Sequence, residues 1–314
     1  MSKLFIYVFF LFLSACGVNQ PTQVITGATM GTTYTVKAID SGVSKLQIEQ
    51  VLDQVNKTFS TWDPKSELSL LNRQPTNQWI DVSSELFFVL NQSQKVYQQT
   101  QGYFDPGIGR LIDAWGFGVV KVVQKPNQAR VDELLPLSSI QYLQLNKGRV
   151  KKIKAIHLNL SAIAKGFGVD QVARLLKKHQ VKDFLVEIGG EVIASGKQRD
   201  RYWTLGIEQP SGANPIAIVL NNQAIATSGN YRNYFVWEGR RYMHILTPSS
   251  GLPASTDLAS VSVLNAQAMM ADAYATAMMV MGSEKATELA KQLNLSVVLI
   301  LNQQHDFKVV KINP

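Results

Sequence analysis

The segment "MMADAYATAMMVMG" (269–282) carries a carboxylate and a hydroxyl within a largely apolar stretch. Asp272 and Thr276 are four residues apart, so on an α-helix their side chains lie on the same face. Carboxylate and hydroxyl oxygens are ligands that Mg²⁺ and Ca²⁺ accept, which makes this face a candidate metal site. Two structural alternatives stay open. Asp272 is a favoured N-cap residue, and the Thr276 hydroxyl can bond to the carbonyl four residues before it.

The segment "NLSAIAKGFGVD" (159–170) leads through small residues into a predicted helix that begins near Lys165. A helix N-terminus presents free N–H groups, which bind anions. A lysine at that end is unfavourable for the helix dipole, so a phosphate ligand would explain it better. The alternative is a solvated lysine without a ligand.

Two further segments contain residue types that a core does not require. In "RRYMHILTPSSGLP" (240–253), His244 ends a predicted strand just before a loop, where a histidine can act as a base near neutral pH. The alternative is a structural histidine. The glycine-rich segment "GYFDPGIGRLIDAWGFG" (102–118) allows close ligand approach, or it is simply an irregular loop. Its "GIG" is too degenerate to indicate a phosphate loop.

The elements that must position these residues are helices interspersed with many short strands. Ser44 and Gln47 form a capping-box pattern that predicts a helix through Phe59, and a second helix is predicted from Ser83 or Ser84 to Gly102. Alternation in "TTYTVKAI" (32–39) predicts a strand. Three hairpins are predicted at turns that contain glycine: Lys147-Gly148, Gly189-Gly190 and Glu238-Gly239.

Regular strand–helix–strand alternation is missing from the chain. This order favours an α+β fold with mixed, largely antiparallel sheets and packed helices over a doubly wound sheet. The 314-residue chain shows neither an internal repeat nor a Pro/Gly-rich linker, so the expected architecture is a single domain.

The composition is that of an ordinary globular protein, with 46% hydrophobic and 17% charged residues. The formal net charge is +8, but the basic residues are scattered along the chain. Scattered charge argues against a nucleic-acid-binding face, so no nucleic-acid partner is expected. It is compatible with anionic small ligands or with an anionic membrane surface.

The N-terminal residues have the pattern of an export signal. Lys3 precedes the apolar run Leu4–Leu13, which is too short to span a bilayer, and "LSAC" follows. This ending resembles a bacterial lipoprotein box, so Cys16, the only cysteine, is the expected lipidation site. The alternative is an ordinary signal with a chance cysteine. The predicted organisation is a signal peptide (1–15), a lipidated tether (16–23) and one domain (24–314).

Nine segments of the chain, taken in order, resemble the motifs of the ApbE family of flavin transferases, also called FAD:protein FMN transferases. The resemblance covers nearly the whole mature chain. Each motif is weak by itself, and it is their order that makes the resemblance specific. The segments are "MGTTYTV" (30–36), "FSTWDPKSELSLLN" (59–72), "GYFDPGIGRLIDAWGFG" (102–118), "NLSAIAKGFGVD" (159–170), "VEIGGEVIASG" (186–196), "WTLGIEQP" (203–210), "AIATSGNYRNYF" (224–235), "HILTPSSGLP" (244–253) and "ADAYATA" (271–277).

The resemblance implies an ApbE-like domain that binds FAD and Mg²⁺. Members of the family cleave the FAD pyrophosphate and attach FMN to a threonine hydroxyl of a target protein, with release of AMP. Their targets are subunits of membrane redox pumps of the Nqr and Rnf types. Many members are lipoproteins that face the periplasm, so a lipid-anchored, periplasmic location is expected here; whether the inner or the outer membrane holds the anchor stays open.

The resemblance also implies roles for individual residues. His244 matches the proposed catalytic base. The metal ligands would be two backbone carbonyls and two side chains: Ala162, Asp272, Ala275 and Thr276. The FAD site would be lined by Met30, Trp62, Ala114, Trp115, Gly116, Asn159, Lys165 and Leu246. The rings of Trp62 and Trp115 are expected to offer flat faces to adenine or isoalloxazine.

Three positions depart from the pattern of this family. Asn159, Asn230 and Thr247 are neutral where the family usually or often has aspartate. Two alternative functions therefore stay open beside the transferase. One is an FAD pyrophosphatase, in which water replaces the threonine and gives FMN and AMP. The other is a non-catalytic FAD-binding lipoprotein.

Overall fold

The computed structural model describes residues 22–119, 122, 124–230, 234–237, 240–303 and 306–313. The predicted signal peptide (1–15), Cys16 and all of the tether except its last two residues lie outside these ranges, as does the predicted turn at Glu238-Gly239. Within the described residues, no helix combines the length and the apolar character that crossing a membrane requires.

The described residues form eight α-helices and two 3-10 turns, at Leu135–Leu137 and Ile140–Tyr142. The helices are α1 (Lys45–Phe59), α2 (Glu67–Arg73), α3 (Ser84–Gln99), α4 (Gly109–Ala114), α5 (Gln128–Leu134), α6 (Ser161–Lys178), α7 (Ala268–Met281) and α8 (Ser283–Gln292).

The strands of the described residues are short, and most are joined to a neighbour by a tight turn. They are β1 (Thr22–Thr29), β2 (Thr32–Ile39), β3 (Ile80–Asp81), β4 (Leu143–Asn146), β5 (Arg149–Lys152), β6 (Phe184–Ile188), β7 (Glu191–Ser195), β8 (Lys197–Gln198), β9 (Arg201–Ile207), β10 (Ile216–Leu220), β11 (Ala224–Gly229), β12 (Tyr234–Trp237), β13 (Arg240–Met243), β14 (Leu246–Thr247), β15 (Leu252–Pro253), β16 (Leu258–Asn265), β17 (Ser296–Gln303) and β18 (Asp306–Ile312).

The main sheet has eight strands in the order β1-β2-β6-β7-β11-β16-β17-β18, and each described neighbour pair in it is antiparallel. Smaller antiparallel sheets are formed by β10-β9-β8, β3-β5-β4, β12-β13 and β14-β15. The predicted α+β class with largely antiparallel sheets is therefore confirmed.

Both faces of the main sheet carry buried residues on the central strands. Because side chains alternate along a strand, neighbours such as Leu185 and Val186 of β6 enter different hydrophobic clusters. Val186 packs in the cluster that includes residues of α1 and α6, whereas Leu185 packs with Trp203 and Ile207 of β9. The helices thus cover one face, and the sheet β10-β9-β8 covers part of the other.

Helices α6 and α7 cross in close contact at Gly166. A Cβ atom at this position would lie 2.6 Å from the Cα atom of Met269 and closer still to the carbonyl of Ala268, so only glycine fits. One turn further along α6, Asp170 accepts hydrogen bonds from the N–H groups of Ala268 (2.9 Å) and Met269 (3.0 Å). Gln267, the N-cap of α7, makes no side-chain cap bond, so α6 supplies the cap.

Local sequence patterns predicted several elements correctly. The capping box at Ser44 is present, and α1 ends at Phe59. All three predicted hairpins pair as expected, with Asn146 opposite Arg149, Ile188 opposite Glu191, and Trp237 opposite Arg240. The helix predicted to end at Gly102 ends earlier, at Gln99, because the Thr100 hydroxyl bonds back to the carbonyl of Val96 and Gln101 adopts a positive φ.

The predicted start of α6 near Lys165 is wrong. The helix begins at Ser161, and Lys165 therefore lies in its second turn. The Asn159 side chain accepts a hydrogen bond from the Ser161 N–H at 3.0 Å, which folds the chain into the first turn earlier than the apolar periodicity indicates.

The cap of α7 leads to a stability prediction. We expect Asp170→Ala to lower the free energy of unfolding at pH 7 by about 1–2 kcal/mol, because two N–H groups lose their acceptor. Urea denaturation followed by circular dichroism measures the change. Asp53→Ala, at an exposed position of α1, is the matched control and should change it by less than about 0.5 kcal/mol. Equal effects of the two substitutions would contradict the capping role.

Candidate active site

A cavity of about 410 Å³ lies where the start of α6, α7, the end of β11 and the segment 244–248 meet. We call it the central cavity. It brings together seven of the residues that the sequence marked for function: Asn159, Ala162, Lys165, His244, Leu246, Asp272 and Thr276. These residues come from three segments that together span more than a hundred positions of the chain, and the fold places them around one space.

A second cavity, of about 440 Å³, adjoins the first, and we call it the side cavity. Its wall includes Met30, Phe59 and Trp62, and it shares Ser161 and Lys165 with the central cavity. The ring of Trp62 is 68% exposed and free to meet a flat ligand. Met30 occupies the two-residue turn between β1 and β2 with φ of +50°, an uncommon conformation for a residue other than glycine. Lys165 therefore stands at the junction of two recesses.

Asp272 is buried and firmly placed. The residue is 3% exposed, and its Oδ2 atom accepts a hydrogen bond from the Gly166 N–H at 3.1 Å. Gly166 is four residues after Ala162 in α6, so this N–H is also the one that a regular α-helix directs toward the Ala162 carbonyl. Asp272 is the fifth residue of α7, so the alternative in which it caps its own helix is wrong. The Thr276 hydroxyl, one turn later, lies 3.2 Å from the Ser228 hydroxyl.

Lys165 lies between two buried carboxylates. Its Nζ atom is 2.5 Å from Glu191 Oε1 and 3.9 Å from Asp272 Oδ1. Burial would lower the pKa of Lys165, but the carboxylates of Asp272 and Glu191 outweigh it and hold this pKa above its ordinary value. Burial raises the pKa of Glu191 to about 8 against the opposing effect of Lys165. Burial also raises the pKa of Asp272, while Lys165 and the Gly166 N–H lower it.

The charged side chains around the central cavity do not balance. Among its described lining residues, the carboxyl groups of Asp105, Glu191 and Asp272 stand against the ammonium of Lys165. When all four are ionised, the lining has a surplus of negative charge. A polyanion such as a pyrophosphate therefore needs an accompanying cation to enter this space.

Asp105 also lines the central cavity and is held by backbone groups. Its Oδ1 atom accepts hydrogen bonds from the N–H groups of Gly107 (2.8 Å) and Ile140 (2.7 Å). Burial raises the pKa of Asp105 to about 6, and these hydrogen bonds oppose the rise. His244 lies on the same cavity, in the segment that joins β13 to β14. The cavity thus places a histidine and a carboxylate–ammonium cluster around one space.

The comparison with known proteins agrees with this arrangement. A family model described as "ApbE family" matches residues 30–299. The chain is 36% identical over 316 residues to an FAD:protein FMN transferase of Haemophilus influenzae, with 95% of this chain and 91% of the relative covered. It is 35% identical over 313 residues to the protein of that name from Vibrio cholerae, with 95% and 93% covered. The chain belongs to the ApbE family.

Solved structures of ApbE proteins share the fold. The flavin transferase ApbE from Vibrio cholerae matches with a TM-score of 0.87 at 32% identity, covering 93% of this chain and 97% of that one. The apo form of the flavinyl transferase ApbE from Pseudomonas stutzeri matches with a TM-score of 0.86 at 32% identity, covering 93% and 95%. The similarity extends over the helices and strands that build both cavities.

Four residues expected in this ApbE site line neither cavity: Ala114, Trp115, Gly116 and Ala275. Ala275 is buried inside α7 beside Thr276. Ala114 faces a separate recess with Arg110 and His157. Gly116 follows α4 with φ of +76°.

The expectation that Trp115 offers a free ring face is not met. Trp115 is 4% exposed, its Nε1 atom donates to the carbonyl of Gly251 at 2.8 Å, and its ring centroid lies 6.0 Å from that of Tyr242. Leu111 and Trp115 are four residues apart, so both face the hydrophobic cluster that contains Leu246. Trp115 therefore supports the cavity wall from behind.

Sequence reasoning missed Glu191 and Asp105. Glu191 lies within the motif "VEIGGEVIASG" and is a carboxylate at the start of a strand whose next three residues are apolar. A charged residue in an apolar strand is expected to be buried, and a buried charge is usually paired with an opposite charge. This pattern was the available indication that Glu191 has a partner. Asp105 gave a weaker indication, because aspartate before proline and glycine is common in ordinary turns.

The structure accounts for one of the neutral departures from the family pattern. The Asn230 amide donates to the carbonyl of Leu258 at 2.9 Å, which an ionised aspartate could not do. Asn159 uses its oxygen to open α6, a role that a carboxylate could also fill. Thr247 is part of β14, and nothing in the structure explains its side chain.

The raised pKa of Asp105 predicts a pH dependence. The folded state holds this proton up to about pH 6, whereas the unfolded chain releases it near pH 4. The contribution of protonated Asp105 to the free energy of unfolding is therefore fully present below about pH 4. It is lost as the pH rises through about 6, and the loss is at most about 3 kcal/mol. We expect Asp105→Asn to remove this fall, as measured by urea denaturation between pH 4 and pH 7. An unchanged slope in the variant would contradict the prediction.

Proposed function

We propose that this protein transfers the FMN moiety of FAD to a threonine hydroxyl of an acceptor protein, with release of AMP and with Mg²⁺ as cofactor. Membership of the ApbE family and the transferase relatives support flavin transfer. The observation that carries the proposal is the pair of adjoining cavities that meet at Ser161 and Lys165. FAD consists of two ring systems joined by a pyrophosphate, and this arrangement offers a recess for each ring system with a cation at the join.

The side chains at the join suit a pyrophosphate. Ser161 and Lys165 lie in the first two turns of α6, where N–H groups and the positive end of the helix dipole favour an anion. The Lys165 ammonium adds a full positive charge. Trp62 supplies an exposed ring in the side cavity, and rings of this kind stack on flat heterocycles.

The reaction can be written with the groups of this cavity. The threonine oxygen of the acceptor forms a bond to the FMN phosphorus, and the bond from that phosphorus to the bridging oxygen breaks. AMP leaves with the electron pair of that bond. The threonine proton passes to the imidazole of His244, which lines the cavity in which the phosphorus would lie.

The donor set around Asp272 fits a magnesium ion. Among the described residues, no three His, Cys, Asp or Glu side chains cluster as a metal site. The proposed ligands that line the cavity are the Asp272 carboxylate, the Thr276 hydroxyl and the carbonyl of Ala162, all of them hard oxygens. The carbonyl of Ala275 is proposed from the family resemblance alone. Mg²⁺ commonly binds through few protein ligands and completes its shell with phosphate oxygens and water. When bound, it would neutralise pyrophosphate charge.

The acceptor and the location are part of the same proposal. The resemblance to lipoprotein flavin transferases supports acceptor subunits of Nqr- or Rnf-type redox pumps. The export pattern in residues 1–15 and the "LSAC" sequence support lipidation at Cys16 and a periplasmic location on a bacterial membrane.

The decisive experiment is an acceptor assay. Purified protein, FAD, Mg²⁺ and an Nqr- or Rnf-type acceptor domain should give a fluorescent acceptor band that survives denaturing gel electrophoresis. An acceptor with valine in place of the modified threonine should stay dark. Release of AMP and free FMN at a rate that does not depend on the acceptor would show that the protein is a pyrophosphatase instead. FAD that stays bound and intact would show a binding protein.

The proposed base has a matched control within the chain. His179 is exposed at the end of α6 and lines neither cavity. In the acceptor assay, His244→Ala should slow transfer by at least about 100-fold while FAD still binds, and His179→Ala should leave the rate unchanged. Equal rates for the two variants would reject His244 as the base.

The metal assignment predicts the effect of Asp272→Asn. The amide keeps an acceptor for the Gly166 N–H and removes the charge, so the fold should persist. We expect Mg²⁺-dependent transfer to fall by about 100-fold or more, since loss of a cation ligand removes several kcal/mol of charge stabilisation. Transfer rates at increasing Mg²⁺, with thermal denaturation as the fold control, test this. Full activity at unchanged Mg²⁺ dependence would exclude Asp272 as a ligand.

A further inference from the structure

Glu191 is a buried carboxylate that the flavin-transfer chemistry leaves without a role. It begins β7 directly after the Gly189-Gly190 turn, is 2% exposed and lines the central cavity. Its Oε1 atom is paired with Lys165 at 2.5 Å. Its Oε2 atom is buried and has no hydrogen-bond partner among the described residues. A buried oxygen of this kind is destabilising, so its presence in the cavity wall requires an explanation.

The explanation starts from the position of Lys165. Its ammonium lies 3.9 Å from Asp272 Oδ1, the oxygen that is not held by the Gly166 N–H. The proposed function gives this same carboxylate to a divalent cation. A lysine ammonium and a divalent cation on one carboxylate repel each other strongly, because both charges are buried in the same small space. Cation binding at Asp272 therefore depends on a second anion that holds Lys165.

Glu191 is the carboxylate in a position to do this. The other carboxyl side chain on the described wall of the cavity, Asp105, already accepts N–H groups of Gly107 and Ile140. Glu191 holds Lys165 at 2.5 Å, whereas Asp272 lies 3.9 Å from the same ammonium.

We propose that Glu191 is a positioning residue that holds the Lys165 ammonium away from Asp272 and so keeps Asp272 open to a divalent cation. The proposal rests on the proposed function for its choice of cation ligand. Glu191 acts through Lys165 and is not itself a ligand of the cation. The pair also delivers the ammonium to the junction of the two cavities, where a phosphate of the substrate would meet it.

The proposal predicts a rescue. In Glu191→Gln the amide keeps the size and one acceptor oxygen but loses the charge, so Lys165 turns to Asp272 and competes with the cation. Mg²⁺ affinity should fall at least tenfold. In the double variant Lys165→Met with Glu191→Gln the competitor is gone, and Mg²⁺ affinity should return to within about threefold of the unaltered protein. Isothermal titration calorimetry of the purified protein without FAD, with all variants in the same buffer, measures these affinities.

The control is Glu187→Gln on the adjoining strand β6. Glu187 accepts a hydrogen bond from the Gly190 N–H at 2.9 Å and lines neither cavity. The same loss of charge at this position should leave the Mg²⁺ affinity within about twofold of that of the unaltered protein. Thermal denaturation of all variants reports folding. A double variant that binds Mg²⁺ as weakly as Glu191→Gln alone would overturn the proposal, because Glu191 would then attract the cation directly or serve only the fold.

The outcomes separate this inference from the proposed function. Rescue of Mg²⁺ binding supports the inference even if no acceptor is ever modified, in which case the proposed function alone fails. Flavin transfer with no rescue overturns the inference alone. Absence of Mg²⁺ binding in the unaltered protein overturns both the metal assignment and the role of Glu191.

Discussion

The close crossing of α6 and α7 at Gly166 is the constraint on which the site depends. Because no side chain intervenes, the two helices approach until the Gly166 N–H reaches the Asp272 carboxylate and Asp170 reaches the first N–H groups of α7. The crossing thus caps one helix from the other and fixes their register. It also places Asp272 next to the first turns of α6, where Ser161 and Lys165 join the two cavities.

The electrostatic character of the cavity follows from this crossing. Asp272 is carried into a buried space that Glu191 enters from the main sheet, and Lys165 lies between the two carboxylates. Each charge is unfavourable alone in such a space, and the Lys165 ammonium stabilises both carboxylates. Family membership, the paired cavities and the charge pattern therefore support the same chemistry through independent observations.

Sequence reasoning predicted what depends on near neighbours. The capping box at Ser44 and the hairpin turns at Lys147-Gly148 and Gly189-Gly190 are present because they require only bonds between residues a few positions apart. The same reasoning placed the start of α6 too late in the chain. The Ser161 N–H donates to the Asn159 side chain, and the helix begins there, before the apolar periodicity starts. Sequence reasoning also assigned Trp115 a free face, since spacing on a helix does not show which cluster the helix packs against.

The sequence by itself determined the α+β class, the family and seven of the residues around the central cavity, because ordered motifs and local periodicity are written in adjacent positions. Only the tertiary structure decided that Asp272 is held by α6 rather than capping α7, and that Glu191 pairs with Lys165. These facts join residues that are far apart in the chain. Burial and pairing of charges are properties of the packed state, and no local pattern encodes which distant carboxylate will meet which ammonium.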